Sequence, residues 1–165
     1  MLILWDYEIS DRADVIRQLD RGRMFDLATS VVEGTIELFD PPFNEYFPLP
    51  IAELLGSAIR TCRESAPEWL VDKAWAEDFF DTLDLLPKVA VRPGVGPFSM
   101  AIENLVEALS EGRESDAALN VLSSCYEAIL TSQLTGRVTL GMERENEKCR
   151  RAIELQQSLI SGFAL

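Results

Sequence analysis

SAPEWLVDKAWAEDFFDTLDLL, residues 65–86, carries the strongest periodic signal in the chain. Ser65-Ala66-Pro67-Glu68 has the form of a capping box, with a serine at the N-cap and an acid three residues on. At about 100° per residue, Trp69, Trp75, Ala76, Phe79, Phe80, Leu83 and Leu86 fall within an arc of roughly 140°. Glu77, Asp78, Asp81 and Asp84 lie on the opposite arc, and Pro87 ends the run. The spacing predicts one amphipathic helix from Ser65 to about Leu86. Asp72 falls inside the apolar arc, where an acid needs a partner or the solvated first turn of a helix. A structural role, as an ion pair or as support for the helix dipole, is the expectation. A functional acid is the alternative.

The same period recurs on both sides. Ser10 to Leu19 is a short helix with Ser10 as N-cap and Asp11 in its first turn, and Gly22 breaks it. From Met24 to Phe39, Phe25, Ala28, Val32, Ile36 and Phe39 share a helical face. Gly34 weakens that helix, and residues 29–39 are the one place where a small strand element, and so an α+β fold, is the alternative. Further helices follow at Ile51–Arg63, Phe98–Glu111, and from an Ser115-Asp116 cap to near Gly136. Val89-Ala90-Val91 reads as a short extended piece in the loop between Lys88 and Pro97. The last helix runs from about Val138 to Ile160 on a thin stripe of Met142, Cys149, Ala152, Ile153 and Leu159. Glu147 with Arg151, and Arg150 with Glu154, are spaced to pair along it. The expected architecture is an all-α, single-domain bundle of about six or seven helices spanning residues 1–165.

The chain has 165 residues, 47% of them hydrophobic, which is enough for one self-sufficient core. It carries a net charge of −13. That field repels nucleic-acid backbones and anionic membrane surfaces, and attracts cations and basic proteins. The opening Met1-Leu2-Ile3-Leu4-Trp5 lacks a basic flank, so no signal peptide is read and a cytoplasmic location is expected. Cys62, Cys125 and Cys149 are odd in number and widely spaced, as expected of reduced packing groups.

Chemistry is narrowly limited. The chain has no histidine, so the commonest general base and metal ligand is missing, and no Cys-x-x-Cys exists to hold zinc. Arg92-Pro93-Gly94-Val95-Gly96-Pro97 lacks the third glycine and the Lys-Ser/Thr of a phosphate loop. Only carboxylates remain. Glu103, Glu107 and Glu111 recur every four residues, as do Glu143 and Glu147. Without Glu-x-x-His pairs they read as solvated faces rather than a di-metal site. No catalytic residue, metal or cofactor is assigned, and a carboxylate-dependent enzyme is the least favoured function.

The segment Phe98-Ser99-Met100-Ala101-Ile102-Glu103-Asn104-Leu105-Val106-Glu107-Ala108-Leu109, the helix from Asp116 to Leu130 and the closing helix with Glu143, Glu145 and Glu147 together resemble the YjaG type of small helical bacterial proteins. The resemblance covers residues 97–160. It implies an all-α fold and no known activity.

Two surfaces stand out for contact with a partner. One is the acidic arc of Glu77, Asp78, Asp81 and Asp84. The other is the proline-flanked loop with Phe43, Tyr46 and Phe47, aromatic in the manner of interfaces, unless it folds back over the core. The expected function is an acidic protein-binding module for a basic protein, in concrete form an immunity protein against a basic toxin. A self-associating structural protein, for instance a homodimer through the closing helix, is the alternative.

Overall fold

The computed structural model describes residues 2–88, 91–112 and 116–165. Among them there are ten α-helices and no strand. Six are long: α3 (Arg21–Ile36), α5 (Leu49–Glu64), α6 (Lys73–Leu85), α7 (Val95–Glu111), α8 (Ala117–Gln133) and α10 (Glu147–Phe163). Four are short: α1 (Leu4–Glu8), α2 (Ala13–Arg17), α4 (Phe43–Tyr46) and α9 (Leu140–Glu145). The long helices account for the periodic segments of the sequence. α2 lies within the expected Ser10–Leu19 helix and α9 within the expected closing helix, so the excess comes from α1 and α4, each too short for a period to show, and from the break that separates α9 from α10.

α8 is the axis of the bundle. It packs on α7, α3 and α10, with α2 at its side, whereas α6 packs mainly on α5 and α7. Residues 29–36 are helical, so the strand alternative does not occur. The Thr29 and Thr35 hydroxyls donate back to the carbonyls of Phe25 and Val31 and satisfy themselves inside the helix. Gly34 is explained by packing. A Cβ there would lie 2.8 Å from Leu155 Cδ2, so the glycine lets α10 settle onto α3.

Helix boundaries moved where capping differs from the expected pattern. Ser65 closes α5 rather than opening the next helix, its hydroxyl donating to the Cys62 carbonyl at 2.6 Å. Residues 65–72 are non-helical, and α6 begins at Lys73. Trp69 therefore does not belong to that helix's stripe. It is buried with a left-handed φ of 56°, held by Arg21, which donates to the carbonyls of Glu68 and Trp69 at 2.7 and 2.6 Å. The Arg63 guanidinium lies over its ring. Arg63 also bonds Asp26 and Glu33 of α3, both at 2.7 Å, tying α5 to α3.

Ser10 opens a single 3-10 turn, Ser10–Arg12, instead of capping a longer helix. Gly22 sits inside α3, whose start is set by Asp20 accepting from the Arg23 N–H at 2.9 Å. α7 begins three residues before Phe98 because Pro97 falls in its first turn, where a missing N–H costs nothing. The cap at Ser115 and the extended piece at Val89 and Ala90 lie outside the described residues. The closing helix is divided at Asn146, whose side chain accepts from the Cys149 N–H at 3.0 Å and starts α10 afresh. Of its two expected pairs, Arg151 meets Glu147 at 2.9 Å, while Arg150 donates to the carbonyls of Arg144 and Glu145 at the end of α9.

The three cysteines are free and buried. Burial pushes the thiols of Cys62 and Cys125 up to about 12, and that of Cys149 to about 11. No helix among the described residues is long and apolar enough to cross a membrane.

Candidate functional site

α6 is anchored by Ala76, Phe79 and Leu83, which are buried, with Trp75 stacked on Phe79 at 6.0 Å. Its start is fixed by Asp72, which is exposed and accepts from the Ala74 N–H at 3.1 Å. Asp72 is thus a helix cap. Its place inside the apolar arc was an artefact of extending the helix back to Ser65. With one side of α6 packed, Glu77, Asp78, Asp81 and Asp84 are all exposed.

Two of those four acids take part in something larger. Glu77 and Asp84 line a groove of about 540 Å³ between α6 and α7, with Ala76 and Phe80 as apolar lining. Across the groove α7 presents Glu103, Glu107 and Glu111, so that five carboxylates face one cation, Lys73. Asp78 and Asp81 stand outside it on the solvent side of α6. The groove continues over α7 into a second of about 240 Å³, sharing Asn104, Glu107 and Glu111 and ending on Asp116 and Asn120. From Asp116 and Asn120 a third, of about 430 Å³, passes between α2 and α8 toward Trp5 and Ser123. There Arg17 is held by Asp116 at 3.0 Å.

The electrostatics follow from the crowding. Partial burial raises the Glu103 carboxyl above its ordinary value, the charges of Asp84 and Glu107 raise it further, and Lys88 opposes them. Carboxylates that disfavour one another's ionisation are relieved by an incoming cation. The groove is therefore suited to guanidinium or ammonium groups. It contains no histidine or cysteine, and among the described residues no set of three or more cysteine and carboxylate side chains is gathered closely enough to hold a metal ion.

The aromatic segment is placed elsewhere. Tyr46 and Phe47 are buried, and Phe43 is partly so. Together with Phe39 and Phe98 they form one cluster with ring centroids 4.5–6.3 Å apart. The Tyr46 hydroxyl accepts from the Gly94 N–H at 2.9 Å. Gly94 in turn leaves no room for a side chain, since a Cβ would stand 2.6 Å from the Ala128 carbonyl oxygen. This segment folds back on the core, and none of Phe43, Tyr46 and Phe47 lines the groove of Glu77 and Asp84.

A second polar constellation is missing from the sequence reading. Among the described residues Glu143 is the one buried acid. Its Oε1 accepts from the Tyr126 hydroxyl at 2.7 Å and from the Leu4 N–H at 3.0 Å. Beside it Gln156 accepts from the Trp5 indole at 2.8 Å and donates to the Leu122 carbonyl at 2.8 Å. Burial, and the bond to Glu143, raise the Tyr126 phenol above its usual value. On one continuous helix Met142 would share the stripe of Cys149, and Glu143 would face solvent. The break at Asn146 changes the phase, turning Glu143 inward and leaving Met142 exposed. An asparagine followed by Glu147 is an N-cap signal, and was the available clue. The cluster fastens α1 to α8, α9 and α10.

Comparison with family models, curated proteins and solved structures finds no match to the chain.

Proposed function

We propose that this protein is an acidic protein-binding module whose partner is basic, acting in the manner of an immunity protein that neutralises a cationic toxin. The observation that carries the reading is the groove between α6 and α7, whose lining holds five carboxylates and a single lysine. Its continuation past Asn104, Asp116 and Asn120 suits an extended segment bearing arginine or lysine, with amide side chains to meet its backbone. Asp78 and Asp81, outside the groove, add to the field that draws such a partner in. Acidic surfaces of this kind act mostly on the rate of encounter.

The test begins with capture of partners from the native cell at low and high salt, and identification of the gene beside this one. Association is then followed by stopped flow with wild type and with the double variant Asp84→Lys, Glu107→Lys. The expected result is an association rate at low salt lowered by about tenfold or more, and a flatter dependence on ionic strength. An unchanged rate and salt slope with a verified partner would remove the groove from the interface and overturn the reading.

A further inference from the structure

We draw no further inference here: the strongest candidate outside the site already described, the polar cluster of Tyr126, Glu143, Cys149 and Gln156 beneath α1, has side chains buried to within 2% of full enclosure and its buried polar atoms all partnered inside the fold, so nothing in it points to a ligand.

Discussion

α8 and α6 each follow an aspartate, yet the two are put to opposite uses. α8 buries ten of its seventeen residues, and its aspartate, Asp116, turns away from the helix to pair with Arg17. α6 buries three of thirteen, and its aspartate, Asp72, caps the backbone directly. A helix enclosed by neighbours on several sides has little room for charge, and α8 carries a single acid, the exposed Glu127. A helix packed on one side only has a free face, and here that face holds four acids. Stability and surface charge are thus separated between two elements, and the separation can be tested.

The largest effect is expected at the axis. Leu122→Ala in α8, at a fully buried position, should cost about 2–5 kcal/mol in denaturant unfolding. Leu85→Ala in α6, where the side chain is 84% exposed, should change stability by less than about 0.5 kcal/mol. Similar losses at both sites would erase the contrast.

Glycine positions sharpen the same comparison. Gly94→Ala forces a Cβ against the Ala128 carbonyl oxygen, and overpacking of that kind costs about 1–3 kcal/mol. Gly56→Ala in α5, with nothing within 4 Å of the added carbon, should instead gain up to about 1 kcal/mol of helix propensity. Thermal melts of the two variants should move in opposite directions.

Next in size is Glu143. Replacing it with alanine strips the Leu4 N–H and the Tyr126 hydroxyl of their acceptor, for a loss of about 1–3 kcal/mol. Glu143→Gln keeps an oxygen in place and should cost less. Equal losses in the two variants would mean that the charge, rather than the acceptor, matters.

The smallest effect belongs to α6. Because the folded state raises the Glu103 carboxyl, folding favours its protonated form. Its contribution is complete below the unfolded carboxyl value and is lost as pH rises through the folded one. Asp84→Asn removes one of the charges responsible, so the Glu103 value should fall and that loss should shrink. NMR titration of the Glu103 side chain reads the first, and unfolding across mildly acidic to neutral pH reads the second. A Glu103 titration unaffected by the substitution would show that Asp84 does not act across the groove.

Much of this contrast was legible in the sequence. The apolar stripes of α3, α5, α7 and α8, and the acidic face of α6, are written in spacing alone, since each helix is long enough for a period to accumulate. What escaped was decided by single residues. Ser65 is an equally good N-cap or C-terminal hydroxyl donor, and the two are distinguished by its bond to the Cys62 carbonyl and the left-handed backbone at Trp69, neither of which the residue types announce. Asn146 changes the phase of the last helix, and with it the side to which Glu143 turns. The pairing of the α6 acids with Glu103 and Glu107 is a tertiary fact. Each half is a periodic charged face, and neither half says which way its helix is turned toward the other.

The cluster under α1 also bears on the order in which the molecule can be completed. Leu4 meets Glu143 across 139 residues, and Trp5 meets Gln156 across 151. During synthesis the first helix leaves the ribosome with both of these partners still untranslated, while α3, α5, α7 and α8 can already assemble. Contacts of such separation close late and slow the final step of folding. A nascent chain arrested before α9 would lack α10 as well, leaving α3 and α8 without that cover, the first turn unmoored and an indole exposed.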